Sequence, residues 1–239
     1  MELDELYLQS GNDIPFGIAQ ITIHQPRIRE IGFIGEENFH IGCQFLVFDR
    51  NRLSEKDKSD LRNHSDFDIF MSVMNSSDRA KHKTDAIMVL ALLFPEYKIK
   101  IERDKILLQL ENFSSSINEN NFNDFKSILN QIFCLGSDAE GGDFNPADEL
   151  AAKIADKIRK SREKKAEANG ETTKISLFSK YISILSVGLQ KDKNDLLNYT
   201  IYQLRDEFNR YMLKQSYDTY IQAKLAGAKD LEEVQNWMD

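Results

Sequence analysis

Residues 175–239, ISLFSKYISILSVGLQKDKNDLLNYTIYQLRDEFNRYMLKQSYDTYIQAKLAGAKDLEEVQNWMD, string several helix signatures together and decide the fold class. Phe178, Tyr181, Ile182, Leu185 and Leu189 recur at the i, i+3, i+4, i+7 spacing of a helix that buries one face. Thr200 is expected to cap a second helix by accepting a backbone N–H while Gln203 reaches back, with Tyr199 and Leu204 placed to close a hydrophobic staple over the cap. Ile201, Leu204, Phe208 and Tyr211 give that helix its buried stripe. Tyr217, Tyr220, Ile221, Lys224 and Leu225 keep helical spacing up to Gly227, a residue able to take the left-handed conformation that ends helices. Asp230 and Glu233 open a last short helix that ends at Trp237.

Upstream the pattern is mixed. Ile18, Ile21 and Ile23 alternate with polar residues over 16–24, which predicts a strand whose alternation slips near Ala19, and Pro26 closes it. Ile28 and Ile31, then Phe39, Cys43 and Leu46, sit at helical intervals interrupted by Gly32, Gly35 and Gly42, which predicts two short helices. Residues 51–65 are charged and read as a solvated loop. Asp66 is expected to cap a helix burying Phe67, Phe70, Met71 and Met74, and Asp78 to cap the next, which carries Ile87, Leu90, Ala91 and Phe94. Tyr97, Ile99 and Ile101, mirrored by Ile106, Leu108 and Leu110 across 103–105, predict a β-hairpin, and two strands alone need a third strand or a helix to be stable. A polar stretch, 114–121, leads to a helix with Phe122, Phe125, Leu129 and Ile132 inward, ended by Gly136.

The glycine and acid cluster at 137–146 marks a linker. The expected organisation is an α+β N-terminal domain over 1–136, with a small antiparallel sheet made of the N-terminal strand and the hairpin, and a helical C-terminal domain over 147–239. The first helix after the linker opens on Asn145 and Pro146 and has a narrow stripe of Leu150, Ile154 and Ile158. It ends in the basic run Arg159 to Lys165, a charge placement that complements the helix dipole.

The net charge of −8 works against binding a polyanion, because any nucleic-acid site has to build positive potential against that field. The basic run 159–165 is the one candidate, and it lacks the interleaved aromatics that single-strand binding uses. The chain has two cysteines, Cys43 and Cys134, far apart, so no disulfide framework is indicated. The N-terminal twelve residues lack the basic-then-apolar order of a secretion signal, and the apolar run from Ala86 to Phe94 falls far below the ~20 residues that span a bilayer. A soluble protein is expected.

Candidate chemistry is sparse. His40 and Cys43, three apart, have the spacing of a thiol–imidazole pair or two metal ligands, but a core cysteine beside a half-exposed histidine accounts for them more simply. His64, Asp66 and Asp68 are a looser cluster that helix capping explains. Gly141-Gly142 lacks the lysine and hydroxyl that complete a phosphate loop, the acidic register nearby does not supply a calcium loop, and no G-x-S-x-G elbow occurs. No catalytic residue, cofactor site or metal site is expected. The tail aromatics are the exception to this plainness: Tyr199, Tyr202, Tyr217, Tyr220 and Trp237 are candidate partner-binding residues, since such side chains combine a large apolar area with a polar handle.

Two stretches together carry a resemblance. They are Ile23-His24-Gln25-Pro26-Arg27-Ile28-Arg29-Glu30-Ile31 and the tail, with Tyr199-x-x-Tyr202-x-Leu204, Tyr220-Ile221-Gln222-Ala223-Lys224-Leu225-Ala226-Gly227-Ala228 and Val234-Gln235-Asn236-Trp237-Met238. The set resembles tail assembly chaperones of long, non-contractile-tailed bacteriophages. The resemblance implies a protein that is not an enzyme, whose partners are the phage tape-measure protein and the tail-tube protein. It implies self-association as a further mode of assembly, action in the cytoplasm of the infected host and absence from the finished virion. The rivals from other classes are a nucleic-acid-associated phage regulator using 159–165, another virion-assembly protein, and an enzyme using Cys43.

Overall fold

The computed structural model describes residues 2–48, 64–75, 80–135 and 176–228, together with 231, 234, 236 and 238. The fold class is α+β, with two small antiparallel sheets in the N-terminal half and helices after them. Two compact units divide the chain. The first comprises Met1–Leu135 and Leu197–Gln203, the second Gly136–Leu196 and Leu204–Asp239. The expected linker at 137–146, the helix after it with its basic end at 159–165, the Asp78 cap and the charged loop up to residue 63 lie outside the described residues.

The first unit opens with α1 (Glu5–Ser10), capped by the Asp4 carboxylate accepting from Leu6 N–H and stopped by Gly11 at φ 66°. The expected N-terminal strand is two strands. Ile14–Phe16 (β1) and Ile21–Ile23 (β2) pair with each other in the register Ile14↔Ile23 and Phe16↔Ile21, and the slip near Ala19 is the turn that joins them, closed by Gln20 at φ 54°. The alternation holds within each strand: Ile14, Phe16, Ile21 and Ile23 are buried, while Pro15 and Thr22 face solvent.

Two short helices follow as expected, α2 (Ile28–Ile34) and α3 (Glu36–Leu46), separated by Gly35 at φ 84°. Gly42, read from sequence as a weakness, lies inside α3 for a packing reason. Helix α5 (Ala80–Leu93) crosses there so closely that a Cβ on Gly42 would lie 2.5 Å from the Asp85 carbonyl oxygen and 2.6 Å from a Val89 methyl. Because the first obstacle is backbone, the helices must move apart to admit even a methyl group. Gly42→Ala is therefore expected to destabilise the first unit by about 1–3 kcal/mol despite alanine's better helix propensity, read as a lowered urea midpoint.

Helix α4 (Asp66–Asn75) buries Phe67, Phe70, Met71 and Met74 as its spacing predicts. Its cap is Ser65 and not Asp66: Ser65 Oγ accepts from Asp68 N–H at 3.1 Å and the Asp68 carboxylate accepts from Ser65 N–H at 3.0 Å. That leaves the Asp66 side chain to point inward, where it meets the ammonium of Lys126.

The predicted hairpin forms from β3 (Lys98–Ile101) and β4 (Ile106–Leu110), paired Ile99↔Leu108 and Ile101↔Ile106. Its third strand is β5 (Phe113–Ile117), with Ile106↔Ile117 and Leu110↔Phe113, so the hairpin is completed locally and does not pair with the N-terminal strands. The serine-rich sequence 114–116 concealed it. Serine has weak strand propensity, and here the serines serve an edge strand: Ser115 donates through its hydroxyl to the Ala19 carbonyl in the β1–β2 turn, which ties the two sheets together. Helix α6 (Glu119–Ile132) begins at an Asn118 cap, and Asn121, nearly fully buried, is satisfied by donating to the Ser116 carbonyl at 2.9 Å and accepting from Asn118 N–H at 2.8 Å. The helix ends at Ile132, before the glycine expected to stop it, with Cys134 at φ 54° taking the left-handed position.

Phenylalanines dominate this core. Phe122 stands 5.1 Å from Phe67 and 5.3 Å from Phe70, ring to ring, and Phe125 lies 6.0 Å from Phe94 and 6.4 Å from Phe16, so α4, the end of α5 and β1 meet on α6.

In the second unit, α7 (Leu177–Leu189) is capped by Ser176 Oγ, which accepts from Ser179 N–H at 3.0 Å, and buries Phe178, Ile182 and Leu185. A short helix α8 (Lys193–Leu197) starts at Asp192, whose carboxylate accepts from Asn194 N–H at 2.7 Å. Then comes α9 (Ile201–Leu225), whose first three residues belong to the first unit and the rest to the second. It closes as predicted at Gly227, φ 85°, with Ala228 N–H donating to the Ala223 carbonyl at 3.0 Å. The last short helix expected over 230–237 falls largely outside the described residues.

Candidate functional site

The predicted capping box at the start of α9 is present. Gln203 Oε1 accepts from Thr200 N–H at 2.9 Å and Thr200 Oγ1 from Gln203 N–H at 3.3 Å. The box has a second task that its sequence does not announce: the Gln203 amide donates to the Gln9 carbonyl at 2.7 Å, and the Tyr199 carbonyl accepts from Ile28 N–H at 2.9 Å. Leu197–Gln203 is thereby built into the first unit although it lies in sequence beside the closing helices.

This divides the candidate tyrosines. Tyr199 and Tyr202 fall in the first unit, both half-buried. Tyr217 and Tyr220 fall in the second, half-buried on the far part of α9, with the Lys224 ammonium 5.5 Å from the centre of the Tyr220 ring. Trp237 lies outside the described residues. The stripe expected to be buried is buried only at its beginning: Ile201 and Leu204 are in the core, while Phe208 and Tyr211 remain half-exposed. Phe208 stacks on Tyr181 of α7 with centroids 4.0 Å apart, and the Tyr211 ring occupies the space left by Gly188, where a Cβ would lie 2.3 Å from it. From Asn209 to Leu225 no side chain of α9 is fully buried.

Cys43 is completely buried, and desolvation pushes its thiol well above the ordinary value, the reverse of the shift that activates a nucleophile. His40 turns its Nε2 to Glu36, 3.5 Å away. Asp66 turns away to pair with Lys126, while Asp68 bonds Ser65 and stays close enough to His64 to feel its charge. Among the described residues, no group of three or more His, Cys, Asp or Glu side chains is placed to hold a metal ion. An open depression beside α6, lined by Glu2, Asn123, Lys126, Ser127, Asn130 and Gln131, contains neither Cys43 nor a histidine. Among the described residues, no helix is long and apolar enough to cross a membrane.

A constellation that the sequence did not single out surrounds His24. Its Nδ1 lies 2.7 Å from Asp13 Oδ1 and its Nε2 3.1 Å from Glu30 Oε2. The β1–β2 register creates it: with Ile14 opposite Ile23, the next residues outward are Asp13 and His24. Burial by itself would lower the histidine pKa, but the hydrogen bonds and charges of Glu30 and Asp13 outweigh it and hold the imidazole above its ordinary value.

Set beside known proteins, this α+β chain matches at its closing end. Residues 165–239 match the family model described as the YomV second domain. The match covers less than half of the chain and supports a phage protein. No curated protein and no solved structure matches the chain.

Proposed function

We propose that this chain is a phage tail assembly chaperone, binding the tape-measure protein in the host cytoplasm, bringing tail-tube subunits to it and leaving before the virion is complete. The observation that carries the reading is the far half of α9. Leu213, Tyr217, Tyr220, Ile221 and Leu225 follow helical spacing there, yet none is fully buried. A long helix whose apolar residues contribute little to its own core is suited to cover the exposed stripe of another helix and release it, because helix-in-groove contacts rest on a few such anchors. The partial match to a phage family and the absence of a poised nucleophile at Cys43 are in keeping with this reading.

Co-expression tests it. The wild-type chain should keep a tape-measure fragment soluble and co-purify with it. Replacing two anchors together, Tyr217→Asp and Tyr220→Asp, should reduce the soluble complex about tenfold or more, since each tenfold corresponds to ~1.4 kcal/mol and such aromatic anchors commonly contribute that much. A tape-measure fragment that aggregates equally with and without the wild-type protein overturns the proposal.

A further inference from the structure

Within the first unit, two strips of chain close on Leu197–Gln203. On one strip the Gln9 carbonyl accepts from the Gln203 amide, and Gly11 lies so near that a Cβ there would stand 3.0 Å from Gln203 Nε2. On the other, Ile28 N–H donates to the Tyr199 carbonyl and Arg27 forms an antiparallel bridge with Thr200. The strips are tied to each other by the Gln25 amide donating to the Asn12 carbonyl at 2.7 Å and by His24 reaching Asp13, while the other ring nitrogen of His24 meets Glu30 within its own strip.

The His24 tie depends on a proton. A neutral imidazole has one N–H, so with a carboxylate at each nitrogen one contact sets lone pair against lone pair, and only the imidazolium donates to both. The charges facing it come from separate elements, Asp13 ahead of β1 and Glu30 in the first turn of α2. From the end of α5 the Leu93 carbonyl accepts the His24 backbone N–H at 2.9 Å. Glu30 also accepts Arg27 N–H at 2.6 Å, so the carboxylate that grips the imidazole also sets the start of α2, next to the bridge with Thr200.

We propose that His24 is a proton-operated latch: as the imidazolium it clamps the strips 9–13 and 24–30 around Leu197–Gln203, and loss of its proton opens one carboxylate contact and frees that segment from the first unit. The latch rests on hydrogen bonds within the first unit and stands or falls independently of the chaperone reading. Because the His24 pKa is raised in the folded state, the stabilisation is complete below the ordinary histidine value and is lost as pH rises through the raised one. The latch is closed on the acid side of that window and opens toward alkaline pH.

Amide hydrogen exchange on the full chain, read together with NMR titration of the His24 ring, tests this. The reporter is the amide of Ile28, which donates across to the Tyr199 carbonyl, corrected for the intrinsic pH dependence of exchange. Between about pH 6 and pH 9 its protection should fall in step with the His24 titration, by about tenfold for each pH unit separating the midpoints in the closed and released states. His24→Gln should give low protection that does not change across this range. Asp13→Asn keeps the imidazole but removes one carboxylate, and should move the His24 midpoint and the loss of protection down together. Protection that stays constant while wild-type His24 titrates, a His24→Gln profile like wild type, or a midpoint in Asp13→Asn that shifts without the protection overturns the latch.

Discussion

Phe125→Ala is expected to lower the stability of the first unit by about 3–5 kcal/mol, the upper end of what truncating one core side chain costs. The ring is completely buried and stands between Phe16 of β1 and Phe94 at the end of α5, with Phe122 6.4 Å away on its own helix. Its neighbours come from different secondary-structure elements whose backbones are held by their own hydrogen bonds, so they cannot collapse together into the space. The cost is then the lost transfer free energy of the ring plus a cavity that stays open. Urea unfolding followed by far-ultraviolet circular dichroism is the suitable measurement, because the single tryptophan of the chain, Trp237, lies at the far end of the sequence. A loss below about 1 kcal/mol would mean that the phenylalanine cluster repacks freely and that Phe125 is not its keystone.

Lys126→Met is expected to cost about 3 kcal/mol by a different route. The methionine keeps an unbranched stem of similar reach, so little packing is lost, and the ammonium that leaves stands 5.9 Å from the Phe122 ring centre. What disappears is the cation facing Asp66, in a pair whose side chains are only 10% and 16% exposed. A carboxylate held in that position without its counter-charge bears a desolvation penalty that water cannot fully relieve. Adding Asp66→Asn removes the charge as well, and the double variant should recover to within about 1 kcal/mol of wild type. Equal loss in the single and double variants would show that packing, and not charge, explains the effect.

Much of the local structure could be read from spacing alone. The Thr200–Gln203 capping box, the Gly227 stop, the helix with Phe178, Ile182 and Leu185 inward, and the hairpin of 98–110 depend on neighbours within a few residues, and short-range hydrogen bonding and apolar spacing decide them. Spacing misled where a residue's role is set at long range. Asp66 looked like a cap, yet the capping position belongs to Ser65 because the Asp66 carboxylate has a partner sixty residues on. Residues 114–116 read as a polar lead-in to the next helix, yet their backbone groups complete a sheet and Ser115 reaches the Ala19 carbonyl. Gly42 looked like a helix interruption, yet it is the point at which two helices come closest.

The candidate interaction residues show the same division. Helical periodicity placed Tyr217 and Tyr220 on α9, but periodicity cannot say whether a stripe is covered, and here it stays partly exposed beyond Leu204. Nothing in the spacing of Asp13, His24 and Glu30 suggests a cluster. It exists because a four-residue turn sets the β1–β2 register and swings Asp13 beside the histidine.

By itself, then, the amino-acid order determined the class of this protein, α+β with a helical close, together with the beginnings and ends of many of its helices, because caps, turns and apolar periodicity act between residues a few positions apart. Only tertiary structure decided that Leu197–Gln203 belongs to the first unit, that the strands form two sheets, and that an imidazole stands between two carboxylates. Those outcomes depend on which distant surfaces exclude water together, and no local pattern encodes that choice.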